Sequence, residues 1–220
     1  MFLYSKEDLL NNIKMLLAGQ VAEEIFLGLI TNGSSDDLLR ANNIAKEMIL
    51  KFVRDKGSYP KRIGMVFWSG SNMRSHGQCI AEFLYFMGIK PVWEKGSLQV
   101  KRLEVIPLSE LMRPRIDVTA RISGLFRDTM PTVVELLDKA VLLAADLNES
   151  EDDNYIKKHV SEESSLMEKS GMTHEESWRN AAYRIFGDAP GTYGAGVSAL
   201  LESKNWQTVD DLADVFVRWG

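Results

Sequence analysis

Cysteine is nearly absent: the 220 residues contain one, Cys79. A single cysteine excludes an intrachain disulfide framework and a multi-cysteine zinc site, and it fits a reducing compartment. The sequence also lacks any apolar run near the roughly 20 residues that span a bilayer. Its start, MFLYSKEDLL, has no basic region of the kind that opens a secretory signal peptide. We therefore expect a cytoplasmic protein with no membrane segment.

Positive charge is not in excess. Lys and Arg total 26 against 31 Asp and Glu, which gives a net charge of −5 at pH 7. A mildly acidic chain binds nucleic acid and anionic membranes poorly, so we expect neither as a partner. Hydrophobic residues make up 45% of the chain and charged residues 26%, which is typical of a globular protein with a buried core.

Several catalytic motifs are missing. No G-x-x-x-x-G-K-[ST] segment is present, so the chain has no P-loop for the phosphates of ATP. The H-E-x-x-H helix of zinc proteases is absent too, because His76, His159 and His174 are never four residues apart. There is no G-x-S-x-G nucleophile elbow. GTYGAG (191–196) has the wrong glycine spacing for a dinucleotide site.

Hydrophobic periodicity predicts an α/β fold in three parts. Apolar residues at helical spacing over residues 5–55, interrupted by the TNGSS turn (31–35), predict an N-terminal helical hairpin. Short apolar or alternating runs then predict strands of a parallel α/β layer, at residues 63–68, 89–93, 103–108 and 116–122. The remainder is predicted to be mostly helical. The predicted domains are residues 1–55, 56–147 and 148–220.

Four arginines lie within fifteen residues around the last of these predicted strands: Arg113, Arg115, Arg121 and Arg127. Guanidinium groups bind carboxylates with two parallel hydrogen bonds. Open α/β sheets bind ligands at the carboxyl ends of their parallel strands. These arginines are therefore candidates for holding an anionic ligand. The alternative is that they pair with Asp117, Asp128 or Glu135, or face solvent.

A glycine-rich segment, FGDAPGTYGAG (186–196), follows further along the chain. Its glycines can leave backbone amides open to a ligand, while Pro190 stiffens the path. The alternative is a tight structural turn between helices. His159 is a candidate for metal binding or proton transfer, and the alternative for it is a structural or solvated histidine.

From about Tyr59 to Gly220 the sequence resembles the large subunit of class I metal chelatases, of the cobaltochelatase CobN type and the magnesium-chelatase H type. The stretches that carry the resemblance include RPRIDV-x-x-RISG-x-FRD (113–128), DNYIKKH (153–159) and RIFGDAPGTYGAG (184–196). The form of the glycine-rich segment, FG-x-x-PG-x-YGAG, is more similar to the cobalt type than to the magnesium type.

This resemblance implies a tetrapyrrole-binding subunit that takes part in inserting a divalent metal, cobalt in preference to magnesium, into a corrinoid or porphyrin ring in cobalamin-type biosynthesis. ATP would be hydrolysed by separate AAA-type partner subunits. His159 and Asp128 are candidates for deprotonating the ring nitrogens. The substrate-binding positions that the motifs imply are Arg115, Asp117, Arg121, Arg127, Gly191, Tyr193 and Gly194.

Residues 5–52 resemble a different family, the zinc-protease domain of FtsH-type AAA proteases. The stretches LLAGQVAEEIFLG (16–28) and TNGSSDDLLRANNIAKEMI (31–49) carry this second resemblance. Asp37 falls on that family's third zinc-ligand position. Because the H-E-x-x-H helix and the ATPase module are missing, one carboxylate does not make a zinc site, and protease activity is not implied.

Together the two resemblances predict a fragment or a chimera, in which a protease-like hairpin precedes part of a chelatase large subunit. We expect ring binding rather than complete metal insertion, because much of the family's chain is missing. The alternative function is a non-catalytic structural or interaction module, whose open sheet edges and uncovered apolar helix faces would drive association.

Overall fold

Two stretches of the chain, residues 33–94 and 100–219, are described by the computed structural model. The chain divides into two compact units, Met1–Arg40 and Ala41–Gly220. The first helix of the predicted hairpin, within residues 5–28, falls outside the described residues. The domain boundaries expected from the sequence stay predictions.

Helices and strands alternate through most of the described chain. Its strands are β1 (Arg62–Phe67), β2 (Ile89–Trp93), β3 (Val100–Val105), β4 (Asp117–Ile122) and β5 (Ile185–Gly187). Its helices are α1 (Gly33–Lys56), α2 (Ser69–Arg74), α3 (Gln78–Met87), α4 (Leu108–Leu111), α5 (Gly124–Thr129), α6 (Pro131–Ala145), α7 (Tyr155–Lys169), α8 (His174–Ala181), α9 (Val197–Ser203) and α10 (Val209–Trp219), with a 3-10 turn at Gly194–Gly196. None of the helices in the two described ranges is long and apolar enough to cross a membrane.

Helix α1 corresponds to the second helix of the predicted hairpin. Ala41, Ala45 and Ile49 are its buried residues, and their spacing of four places them on one face. Arg54 and Lys56 occupy its last turn, where basic side chains interact favourably with the helix dipole.

Strands β1, β4 and β5 form a parallel sheet in the order β1-β4-β5. Val118, Ala120 and Ile122 of the central strand are buried, as expected for alternate residues on one face of a strand. The predicted parallel α/β layer is therefore confirmed. Strand β1 is an edge strand in which only Phe67 is fully buried, so the prediction of a buried strand there was too strong.

The other two strands differ from the sequence prediction. Strands β2 and β3 do not join the parallel layer but pair with each other as an antiparallel hairpin. They are separated by only a few residues, and such a short connection allows antiparallel pairing but not a parallel crossover. Strand β4, which is more fully buried, takes the place beside β1 instead.

The core lies between the sheet and the helices on one side of it. Phe67 packs edge-on against Phe83 of α3 and Phe126 of α5, with ring centroids 6.1 and 5.5 Å apart. Leu137 and Val141 of α6 are fully buried in the same cluster. Burying each such side chain stabilises the fold by about 1.5–3 kcal/mol.

The opposite face of the sheet is open over part of its area. Val66 and Phe186 are 56% and 44% exposed, and Thr119 between their strands is also exposed. Arg121 points to this same face, because it lies in register with Val66 on one side and Phe186 on the other.

Candidate functional site

Strand β4 carries predicted site residues at both of its ends. In a parallel sheet all amino ends meet at one edge and all carboxyl ends at the other. Asp117 begins β4 and Arg121 lies one residue before its end. Five steps of about 3.3 Å separate the two edges by roughly 16 Å. The structure therefore divides the predicted residues into two groups that do not meet.

Arg115 lies near the amino edge and is completely buried. Its Nε and Nη2 atoms donate to the two carboxylate oxygens of Glu149 at 2.7 and 2.9 Å. The terminal nitrogens also donate to the carbonyls of Met87, Gly88 and Ile106 at 2.8 to 3.1 Å. Every donor direction of this guanidinium is therefore used inside the protein, at the end of helix α3, where a cation is favourable.

Asp117 and His159 meet at the amino edge. The Asp117 carboxylate is buried, with 2% of the residue exposed. One of its oxygens, Oδ2, lies 2.8 Å from His159 Nδ1. Its other oxygen accepts a hydrogen bond of 2.8 Å from Arg184 Nε. Arg62 lies beside the same pair and donates through Nη2 to Glu163 at 2.7 Å. We call Arg62, Asp117, His159, Glu163 and Arg184 the amino-edge cluster. It connects helix α7 to the starts of all three parallel strands.

The pKa of Arg184 reflects both its burial and its charged neighbours in the amino-edge cluster. Burial disfavours its charged form, but the hydrogen bond and the negative charge of Asp117 outweigh that effect and raise the pKa of Arg184. Arg184 Nη2 makes no hydrogen bond but lies 3.3 Å from Glu163 Oε2. The charged groups of this cluster thus pair with one another, which is typical of buried ions that hold a fold together.

Arg121 lies near the carboxyl edge with the glycine-rich segment. Its Nη2 donates to the buried Asp188 carboxylate at 3.0 Å. The centre of its guanidinium lies 5.1 Å from the ring centroid of Phe216 on α10. Asp188 directly follows β5, so the pair joins two neighbouring strand ends.

Arg127 joins helix α5 to the same segment. Its Nη1 donates to the carbonyls of Asp188 and Ala189 at 2.5 and 2.6 Å. Its Nε donates to Asp128 at 2.7 Å, and the Tyr193 hydroxyl donates to the other Asp128 oxygen at 2.5 Å. We call Arg121, Arg127, Asp128, Asp188 and Tyr193 the carboxyl-edge cluster.

Two donors of the carboxyl-edge cluster are left over. Arg121 Nη1 and Arg127 Nη2 are buried, and neither has a hydrogen-bond partner among the described residues. Three other buried atoms are in the same condition: Asn72 Oδ1 in α2, Arg113 Nε, and Arg184 Nη2 at the amino edge, the last of which still lies 3.3 Å from Glu163 Oε2. Leaving such a group unsatisfied costs about 1–3 kcal/mol. An incoming acceptor would relieve that cost at Arg121 and Arg127.

The charges of the carboxyl-edge cluster cancel. Two arginines face two carboxylates, so its formal net charge is zero. The Arg127 hydrogen bond, followed by that of Tyr193, lowers the pKa of Asp128, and Asp128 in turn raises the pKa of Tyr193. With no excess charge, the cluster exerts little long-range attraction on an anion, and what it offers is hydrogen-bond donors in fixed positions.

Glycines bring the two halves of the carboxyl-edge cluster together. A Cβ atom on Gly124 would lie 2.6 Å from the Thr192 carbonyl and 2.8 Å from the Tyr193 ring, so only glycine allows this contact. Gly191 and Gly194 have φ of +81° and +73°, a backbone conformation that glycine adopts without strain. These two glycines therefore shape the turn.

Ser123 starts helix α5 at the carboxyl edge. Its side chain accepts a hydrogen bond of 3.2 Å from the Phe126 amide, as an N-cap residue does. Its own amide donates to the Phe67 carbonyl at the end of β1. The RISG segment thereby fixes the direction in which α5, and Arg127 on it, leave the sheet.

Sequence reasoning missed several partners of the predicted residues, among them Asp188, Arg184 and Phe216. Asp188 could have been recognised as an acidic residue at the carboxyl end of a strand, a common ligand position. Arg184 and Phe216 gave no such signal, because their contacts with Asp117 and Arg121 are made only by the tertiary fold.

The structure gives no metal centre in the part it describes. Within residues 33–94 and 100–219, no three His, Cys, Asp or Glu side chains are arranged to hold a metal ion. Asp37, the position that resembles a protease zinc ligand, belongs to helix α1.

Comparisons with known proteins point to one family. The sequence model of the CobN/Magnesium Chelatase family matches residues 38–220. An uncharacterized protein of Methanocaldococcus jannaschii is 50% identical over 177 residues, 80% of this chain and 14% of that protein. The aerobic cobaltochelatase subunit CobN of Sinorhizobium sp is 42% identical over 176 residues, also 80% of this chain and 14% of that protein.

A solved structure agrees with these relatives. The catalytic subunit of cobaltochelatase from Mycobacterium tuberculosis matches with a TM-score of 0.73 and 41% identity, over 84% of this chain and 15% of that one. The predicted mixed α/β fold class is therefore confirmed. This chain spans about one seventh of the length of these relatives.

The protease-like resemblance finds no support in these comparisons. The family match begins at residue 38, which lies inside the 5–52 stretch that resembles an FtsH-type protease. Helix α1 (Gly33–Lys56) contains residue 52, where the protease-like stretch ends, and it also contains residue 38, where the family match begins. Neither a protease remnant nor a chimera is supported.

Proposed function

Because this chain belongs to the CobN/magnesium chelatase family, we propose that it contributes to a tetrapyrrole-binding large subunit of an ATP-dependent metal chelatase. The reaction of the whole assembly is insertion of a divalent metal into a corrinoid or porphyrin ring. The share of this chain is to hold the ring, and its place for doing so is the carboxyl-edge cluster.

The two unpartnered guanidinium nitrogens carry this proposal. Arg121 Nη1 and Arg127 Nη2 are buried donors with no acceptor among the described residues, at the edge where open α/β sheets bind ligands. A peripheral carboxylate of a tetrapyrrole supplies two acceptor oxygens. Hydrogen bonds between charged groups contribute about 1.5–3 kcal/mol each.

The predicted residues take different roles in this proposal. Tyr193, Gly191 and Gly194 shape the loop beside the arginines. Arg115, Asp117 and His159 hold the fold at the amino edge, so their part in binding is indirect. Asp128 has a lowered pKa, which makes it a weak proton acceptor. We assign it to holding Arg127 and Tyr193, and we assign deprotonation of the ring to other parts of the subunit.

The metal, the energy source and the location complete the proposal. Cobalt is favoured over magnesium because the FG-x-x-PG-x-YGAG segment is similar to the cobalt type. ATP hydrolysis belongs to AAA-type partner subunits, which suits a chain without a P-loop. A cytoplasmic location rests on the single cysteine.

An absorbance titration tests ring binding. A porphyrin with propionate side chains is added to the chain and to the variants Arg121→Ala and Arg127→Ala. We expect a spectral shift with the unchanged chain and about tenfold to hundredfold weaker binding for each variant, from the loss of one charge-assisted contact.

The matched control is Arg179→Ala. Arg179 also makes an ion pair, with Asp138 at 2.9 Å, and stacks 4.3 Å from an aromatic ring, that of Tyr183, but it lies on α8, outside both clusters. It should bind the porphyrin normally. No spectral shift with the unchanged chain, or equal losses in all three variants, would overturn the proposal.

A second candidate function is that of a structural or interaction module. It is favoured by the open face of the parallel sheet, where Val66 and Phe186 are exposed, because parallel sheets are normally covered on both faces. Size-exclusion chromatography separates the candidates. Association that Phe186→Ser abolishes supports the module, and a monomer that binds the porphyrin supports the chelatase role.

A further inference from the structure

Aromatic rings cover both arginines of the carboxyl-edge cluster. The Phe216 ring centroid lies 5.1 Å from the Arg121 guanidinium, and the Tyr193 ring centroid lies 5.8 Å from that of Arg127. Both rings are themselves about half exposed, Phe216 at 51% and Tyr193 at 57%. Each therefore has one side toward an arginine and the other toward solvent.

The two rings are held very differently. The Tyr193 hydroxyl donates to Asp128, and its ring also lies against Gly124, so Tyr193 is fixed as part of the cluster. Phe216 has no polar group, and its attraction to Arg121 is a cation–π contact of about 0.5–1 kcal/mol at such an exposed site. Phe216 is thus the weaker of the two covers.

The contact with Phe216 does not satisfy Arg121. A ring face attracts the positive charge as a whole, but it is no hydrogen-bond acceptor of ordinary strength for the buried Nη1 atom. A carboxylate would satisfy that atom with a charge-assisted bond, which is the stronger interaction. Because Nη1 is buried in this arrangement, a carboxylate reaches it only after a neighbouring group has moved, and Phe216 is the more weakly held of the two aromatic neighbours.

We propose that Phe216 is a displaceable cover over Arg121, and that a carboxylated ring reaches this arginine only when Phe216 and helix α10 move away. This inference rests on the proposed function for the identity of the ligand. It adds a regulation of the site: ring binding and release of α10 are coupled, because the buried Nη1 of Arg121 becomes accessible only when Phe216 moves.

Helix α10, which carries Phe216, also contacts the glycine-rich segment of the site. Helix α10 contacts the 3-10 turn at Gly194–Gly196, which directly follows Tyr193. A movement of α10 is therefore passed to the end of the glycine-rich segment, on the side where Arg127 is held.

Chemical modification tests the cover without any ring. Phenylglyoxal, an arginine-selective reagent, is applied to the unchanged chain, to Phe216→Ala and to Val209→Ala, and the modified sites are mapped by mass spectrometry. Val209 is the control because it lies on the same helix and is 74% exposed. We expect Arg121 to react several-fold faster only in Phe216→Ala, while the exposed Arg102 reacts equally in all three chains.

The porphyrin then tests the coupling. We expect Phe216→Ala to bind it about two- to fivefold more tightly, since the competing cation–π contact is gone. Hydrogen exchange of residues 209–219 should accelerate when the unchanged chain binds the porphyrin, and Arg121→Ala should remove that acceleration.

The outcomes separate this inference from the proposed function. Unchanged Arg121 reactivity in Phe216→Ala overturns the cover, whether or not the ring binds. Weaker porphyrin binding by Phe216→Ala also overturns it, because Phe216 would then be a ligand contact. Faster modification of Arg121 without any porphyrin binding keeps the cover and rejects the tetrapyrrole as its ligand.

Discussion

The two ends of strand β4 use the same residue types for different purposes. At the amino edge, Arg115 is surrounded by acceptors and donates to one carboxylate and three carbonyls. At the carboxyl edge, Arg121 and Arg127 each keep one buried nitrogen without a partner among the described residues. Arg184 Nη2 at the amino edge also lacks a hydrogen bond, but it lies 3.3 Å from a Glu163 oxygen. The contrast is therefore between Arg115, whose donors are all used inside the protein, and Arg121 and Arg127, which each keep one donor for a ligand.

The RPRIDV-x-x-RISG-x-FRD motif is divided between the two ends of this strand. Its first half supplies the fold, through Arg115 and Asp117, and its second half supplies the candidate site, through Arg121 and Arg127. A continuous motif therefore spans two functions about one strand length apart. We infer that similarity over the whole motif shows the family, while only its second half bears on the ligand.

The largest expected loss of stability comes from a substitution at the amino edge. Arg115→Ala removes both hydrogen bonds to the Glu149 carboxylate and those to the carbonyls of Met87, Gly88 and Ile106, and breaking a buried ion pair in this way costs about 3–5 kcal/mol. Arg121→Ala should lower the free energy of unfolding far less, because its guanidinium is partly exposed and makes one ion pair. Urea unfolding measures both variants. Equal losses would erase the contrast between the two edges.

A loss of stability of intermediate size is expected when Gly124 is replaced by alanine. In Gly124→Ala the new methyl group would lie 2.6 Å from the Thr192 carbonyl, and overpacking of this kind costs about 1–3 kcal/mol. The variant should also bind the porphyrin more weakly, because the glycine-rich segment is pushed away from α5. Gly64→Ala is the control, since its new methyl group meets no atom within 4 Å. Equal stability of the two variants would show that the close contact is unimportant.

The smallest effect concerns pH. Arg127 and Tyr193 lower the pKa of Asp128 below its ordinary value of 3.8. A carboxylate whose pKa is lowered by folding stabilises the fold above its unfolded pKa, and that contribution is lost as the pH falls through the folded pKa. Hydrogen exchange in residues 188–194 should therefore increase at acid pH below about 3.8. Asp128→Asn should remove this step, and an identical step in that variant would assign it to another group.

Periodicity and alternation were enough to predict the parallel layer and helix α1. They could not decide which strands pair, because β2 and β4 have similar lengths and apolar content and only the tertiary packing chooses between them. The site was predictable as residue types near strand ends. Its division into two clusters was not, since the partners of Arg115, Asp117 and Arg121 lie 34, 67 and 67 residues away along the chain.

Whether Arg121 binds a ring carboxylate is best measured by a double-mutant cycle between protein and ligand. The unchanged chain and Arg121→Gln are each titrated with the propionate porphyrin and with its methyl ester, which lacks the charged acceptor. We expect Arg121→Gln to weaken binding of the acid by about tenfold or more and to leave binding of the ester unchanged. Equal changes for acid and ester would show that the spare nitrogen of Arg121 does not bind the carboxylate.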